Sequence, residues 1–263
     1  MLHSAPEQSS YPLVENERSE PPAPFQRRAI LPVERLGALL EVLLCSGVPT
    51  QILAFAAVTQ FGLAARGAGN ALSPAFLIVV SVVDMVLVLG LVFLFLRAHN
   101  ESVRDFVVGG RRVAKEALVG LVMIPGSFAL LLVVFALILT IKPSLHNVPV
   151  SPFEPMLQTP QDAAVLAVLV MFAGGVREEI QRAFIIRRFD RYLGGAVPGI
   201  VLFSVVFGAG HVYQGYAAAI ATGTLGAIWG VLYWRRGSII APMISHAGFN
   251  LAQLVKYVTL AAH

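Results

Sequence analysis

Residues 71–96 read ALSPAFLIVVSVVDMVLVLGLVFLFL. One charge, Asp84, interrupts a run otherwise made of apolar and small side chains. A helix that crosses the hydrocarbon core needs about 20 mostly apolar residues, and this run supplies them. Six further stretches are comparable, giving seven expected spans at 36–64, 71–96, 117–141, 162–186, 195–213, 216–234 and 238–260. The expected fold is therefore all-α, a polytopic membrane bundle of about seven transmembrane helices. The fourth stretch is the least regular. Its apolar half, 162–176, runs into REEIQRAFIIRR, which either completes the span or forms a separate interfacial helix.

Composition agrees. Hydrophobic residues make up 57% of the 263 positions and charged residues 13%, with a mean hydropathy of +0.75. Soluble domains sit near about 45–50% apolar and about 25% charged. The net charge of +4 does not point to nucleic acid, because the basic residues cluster between apolar runs. A single cysteine, Cys45, excludes an internal disulfide framework and a cysteine-built metal site. Residues 1–34 are rich in Pro, Ser and Glu, lack an apolar signal region, and read as a disordered cytoplasmic tail ahead of a membrane domain over 35–263.

The basic residues also orient the chain. Arg18, Arg27, Arg28 and Arg35 precede the first span, and Arg97, Arg104, Arg111, Arg112 and Lys115 follow the second. Arg187, Arg188 and Arg191 follow the fourth, and Arg235 and Arg236 the sixth. The alternate connections carry only Arg66 and Lys142, with Lys256 near the outer end as the exception. The expectation is a cytoplasmic N-terminus in a multi-pass protein of a bacterial inner membrane.

Ionisable groups at membrane depth are costly and need partners. In REEIQRAF, Glu178 and Glu179 lie four and three residues before Arg182, and both spacings bring side chains to one helical face. In FGAGH, Phe207 and His211 are four apart across Gly208 and Gly210, which permit close approach or a helix break. In HAGFN, His246 and Asn250 share a face, with Ala247 and Gly248 between them allowing tight packing. A histidine and an asparagine together can donate to a developing oxyanion. Each motif alone is also compatible with an ordinary salt bridge or interhelical hydrogen bond. Glu41 and Asp84 read as paired or near-interface groups rather than site residues.

Taken in order, Glu-Glu…Arg, FxxxH and HxxxN, each on its own span, resemble the CPBP family of intramembrane proteases, which includes the eukaryotic CAAX prenyl endopeptidases and bacterial homologues linked to bacteriocin immunity. The resemblance covers Gly174 to Leu251, including GTLGAIWGVLYWRRGSIIAPMISHAGFN. It implies an endopeptidase in which Glu178 and His211 activate a water, directly or through a metal, while His246 and Asn250 hold the oxyanion. Arg182 and Phe207 are supporting residues in this reading. Zinc is a possible cofactor, with Glu178, His211 and His246 as its ligands. The implied partners are the lipid bilayer and a membrane-associated protein or peptide substrate. The family motif has three residues between the glutamate pair and the arginine; here Arg182 comes one residue early. An ungapped match puts Arg177 on the first family glutamate, which the family uses in catalysis. Glu178 is favoured as the base because Arg182 lies one turn away, with Glu179 as the other candidate. The ungapped match leaves room for an inactive scaffold or immunity-type homologue; a transporter using Asp84 and Glu41 lacks the inverted repeat expected of one.

At 1.5 Å per residue, Glu178 and His246 come out roughly 12–14 Å from the cytoplasmic ends, and His211 at roughly 20–24 Å. Tilted helices, a misplaced boundary or a break at Gly208–Gly210 each account for the mismatch. The peptidase reading requires the glutamate, both histidines and Asn250 to meet at one water-sized cavity.

Overall fold

A computed structural model describes residues 30–67, 73–157 and 159–260, the last five by backbone alone. Ten α-helices are present among them and no strand. They are α1 (Pro32–Leu44), α2 (Val48–Gln60), α3 (Pro74–Ala98), α4 (Val103–Val108), α5 (Val113–Ile141), α6 (Pro160–Leu169), α7 (Glu178–Tyr192), α8 (Ala196–Ala209), α9 (Tyr216–Arg236) and α10 (Ile240–Leu260). A π-helical segment, Val170–Arg177, joins α6 to α7. The tail expected over 1–34 lies outside the described residues except at its end, where α1 begins at Pro32.

Three stretches are long and apolar enough to cross a membrane: Pro74–Ala98, Val103–Ile141 and Tyr216–Arg236. The pair α1 and α2, bent by 40°, makes a fourth if taken as one broken span. The expected count of seven is not reached on this measure, and the reasons are local. Helix α8 has 14 residues, about 21 Å, against a core of about 30 Å. Helix α10 is long enough, but His246, Asn250 and Gln253 dilute its apolar character. The run from Pro160 to Tyr192 is helical without interruption, so REEIQRAFIIRR continues the helix of the fourth stretch rather than forming a separate one, and its charges keep that run off the apolar measure. The fifth expected span ends at Ala209, and His211 lies beyond the helix in a turn. The helix thus ends over Gly208 and Gly210, short of the expected boundary at 213.

Helix starts follow local chemistry. Thr159 and Asp162 form a reciprocal capping box ahead of α6, and the Ser73 hydroxyl accepts from the Phe76 amide ahead of α3. Small residues then set the packing. A side chain at Gly120 would strike the Ala241 carbonyl and Ile244, and one at Gly175 would strike Ala247, so α10 lies directly against α5 and the π segment.

The arginine-bearing connections meet at one end of the bundle. Arg187 and Arg188 both bind Glu101, and Arg188 also donates to Glu41 Oε2 at 2.5 Å. Arg236 binds both oxygens of Glu116, at 2.6 and 2.8 Å, and its carbonyl accepts from Arg111. Connections two, four and six thus share a face, as the charge alternation requires. At the other end, Asn147 Oδ1 accepts from the Tyr216 amide at 2.9 Å.

Candidate active site

The residues singled out from the sequence come from three parts of the chain. Glu178 and Glu179 open α7, His211 follows α8, and His246 and Asn250 lie one turn apart on α10. Glu178, His211, His246 and Asn250 line one cavity of about 700 Å³, together with apolar side chains such as Phe128, Leu131 and Trp229. Glu179 does not line it. It is 1% exposed and sits behind His246, whose Nδ1 lies 2.7 Å from Glu179 Oε1. A carboxylate can only accept, so Nδ1 carries the proton and the ring's other nitrogen, Nε2, is left for the cavity. That nitrogen stands 3.8 Å from Glu178 Oε2.

Arg182 corrects one part of the sequence reading. It donates to Glu179 Oε1, not to Glu178, although both spacings place the groups on one face. Its guanidinium is enclosed by Phe203, Phe207 and Trp229, with its carbon 5.2, 4.8 and 5.6 Å from the ring centres. Two of its nitrogens, Nε and Nη2, have no hydrogen-bond partner among the described residues, and the ring faces lie against the guanidinium. Phe207 therefore supports the site twice, through Arg182 and by edge contact with His211 at 4.8 Å.

His211 is held by its own turn. Helix α8 ends over Gly208 and Gly210, and Nδ1 of His211 donates to the Phe207 carbonyl at 2.8 Å. Its Nε2 is thereby left as an acceptor in the neutral ring. Asn250 packs against the π segment: a side chain at Gly174 would come within 2.5 Å of Asn250 Nδ2. The glycine keeps that amide in place.

Trp229 went unnoticed in the sequence. Its ring stacks on His246 at 3.9 Å, and its Nε1 donates to Ser245 Oγ at 3.1 Å. It lies within the small-residue run GTLGAIWGVLYW, where a large buried aromatic among glycines was the available signal. The two groups set aside, Asp84 and Glu41, are paired as expected, with Arg177 and Thr50 and with Arg188 and His99 respectively.

Zinc needs three or four donors at about 2.0–2.3 Å. Glu178 and His246 face each other, but among the described residues no three His, Cys, Asp or Glu side chains gather closely enough to share an ion. The suggested set of Glu178, His211 and His246 does not fit as placed, and no chemistry is derived through it.

A second cavity of about 440 Å³, apolar but for Ser81, lies between α3, α6 and the π segment. It shares Ser81, Leu169 and Ala173 with the first.

Residues 160–252 match the family model described as type II CAAX prenyl endopeptidase Rce1-like. The match runs from α6 into α10 and contains Glu178, His211, His246 and Asn250. No curated protein and no solved structure matches the chain.

Proposed function

This chain belongs, through residues 160–252, to the CPBP family of intramembrane proteases, and on that premise we propose that it is an endopeptidase that hydrolyses membrane-associated polypeptides at the Glu178 cavity. The observation that carries the reading is the convergence of Glu178, His211, His246 and Asn250 on one cavity from three separate parts of the chain.

Glu178 is the general base. It takes a proton from a water that attacks the scissile carbonyl carbon. The new C–O bond leaves charge on the carbonyl oxygen, where Asn250 Nδ2 and the Nε2–H of charged His246 donate to it. The C–N bond then breaks, and Glu178 returns its proton to the leaving amine. His211 Nε2, facing the same cavity, accepts a second hydrogen bond from the water and fixes its lone pair toward the substrate. Glu179 anchors His246 through Nδ1 and offsets the ring's charge. With His246 charged, two carboxylates and two cations, counting Arg182, sum to zero in a low-dielectric setting.

The apolar cavity beside the site gives a hydrophobic substrate segment a route from the bilayer. The cavity is lined by Leu77, Ser151, Phe153 and Gln214 from the end opposite the arginine clusters, so an orientation with a cytoplasmic N-terminus would open the site away from the cytoplasm. The inactive-scaffold alternative drew on Arg177, but that side chain binds Asp84 and is absent from the cavity lining, where Glu178 stands instead.

The test is to incubate purified protein in bilayers with membrane proteins and to map new chain termini by mass spectrometry. Termini that appear with the parent and vanish with Glu178→Ala support the reading. Termini that persist with both Glu178→Ala and Glu179→Ala remove the glutamates from the mechanism. Activity that survives a chelator supports the metal-free route; loss restored by zinc would reassign Glu178, His211 and His246 as ligands.

A further inference from the structure

Two adjacent glutamates on one helix point about 100° apart, so only one can face the cavity, and the helix's rotation decides which. The residue before them is Arg177, where an ungapped match to the family motif would put a glutamate. Arg177 is 7% exposed, and its Nη2 donates to Asp84 Oδ2 of α3 at 2.5 Å. Asp84 Oδ1 in turn lies 2.6 Å from the Thr50 hydroxyl of α2. One turn further along α7, Gln181 Nε2 donates to the Cys45 carbonyl at 2.7 Å. Between these contacts sits Gly47, at φ +87°, where a side chain would come within 2.8 Å of Arg177 Nη2.

We infer that the Asp84–Arg177 ion pair, seconded by Gln181 on the Cys45 carbonyl, is the lock that sets the rotation of α7 and selects Glu178 rather than Glu179 as the cavity carboxylate. Arg177 and Gln181 mark one face, only about 40° apart around the helix. That face is held to α3 and to the break between α1 and α2. Glu178, about 100° round, is thereby turned to the cavity, and Glu179, about 200° round, to His246 and Arg182. A buried ion pair suits this role, since breaking it leaves an uncompensated charge while the intact pair tolerates one geometry. Arg177 is on this account a positioning residue. The inference rests on the peptidase reading for what Glu178 does, but not for which way it points.

Thiol labelling reads the rotation independently of peptidase activity. In a Cys45→Ala background, Glu178→Cys and Glu179→Cys are reacted with a water-soluble maleimide. Glu178→Cys should label about tenfold faster or more, since thiol reaction requires access. Adding Arg177→Gln or the near-isosteric Asp84→Asn should bring the two rates together, and the charge exchange Asp84→Arg with Arg177→Asp should part them again. In parallel, Asp84→Asn should lower kcat by about 10²-fold while KM changes little, because misplacing a base by about 1 Å is enough. If the labelling ratio is unchanged in Asp84→Asn and Arg177→Gln protein that still melts cooperatively, the lock does not exist. Equal labelling of the two cysteines with Asp84 and Arg177 intact would instead overturn the placement of Glu178 at the cavity, and the peptidase reading with it.

Discussion

Arg182 and Arg188 lie on the same helix, both within 1% of full burial, yet their surroundings differ in kind. Arg188 has carboxylates on two sides, Glu41 and Glu101, and Glu101 is further bound by Arg187. Arg182 has one carboxylate, Glu179, and three aromatic faces. The first cluster uses its carboxylates on arginines and on His99, which does not line the cavity, and joins α1, the α3–α4 connection and α7. The second passes its carboxylate on to His246, whose free nitrogen opens on a cavity. The contrast teaches how to separate a buried charge that holds helices together from one that serves chemistry: the serving group has a further partner with an unused polar atom on a cavity.

The widest separation between the two regions should come from Glu178→Gln. Loss of a general base lowers rates by about 10²–10⁴-fold, and cleavage assays should show this with little change in melting temperature. Equal losses of rate and stability would erase the distinction. Glu179→Gln should come next, with kcat down about 10²-fold, because the amide no longer requires a proton on His246 Nδ1 and the ring loses its orientation. A proton NMR signal from the Nδ1–H of His246 should weaken in that variant and persist in Glu178→Gln. Gly174→Ala should cost less, about tenfold in kcat, by displacing Asn250 within the space the glycine leaves open; an unchanged rate would remove Asn250 from the oxyanion site.

Glu101→Gln should leave kcat within about twofold and act on stability instead. Burial pushes the Glu101 carboxyl up, but the hydrogen bond and charge of Arg188, with Arg187 and Arg191, hold it below the ordinary glutamate value. A depressed folded-state value means that the carboxylate's stabilisation is complete above the unfolded value and is lost as pH falls through the folded one. Thermal melts from neutral to acidic pH should therefore show a steeper acid-side loss in the parent than in Glu101→Gln. A variant that loses catalysis at neutral pH while keeping its melting temperature would move this cluster into the site.

The bundle's existence was legible because the apolar runs of α3, α5 and α9 carry their own signal, and the two-ended arrangement because arginines cluster in alternate connections. The set at the cavity was legible for a different reason: His246 and Asn250 share a face by spacing alone. What spacing could not decide is choice among equals. Both Glu178 and Glu179 are within one turn of Arg182, and contacts from other helices, not spacing, decide that Glu179 receives it. The end of α8 was likewise open, since Gly208 and Gly210 permit a break without compelling one. Trp229 on His246 is a contact between helices, which no local pattern encodes.

The π-helical segment Val170–Arg177 carries a consequence for kinship. A π turn closes one residue later than an α turn, so it takes up an extra residue without ending the helix. A chain with such slack just ahead of its carboxylates can gain or lose a position in the written motif while a carboxyl group still stands at the same point in the bundle. Searches that demand fixed letter spacing around the glutamate pair will pass over such chains, whereas a search on where the carboxylate sits relative to the HxxxN helix would collect them.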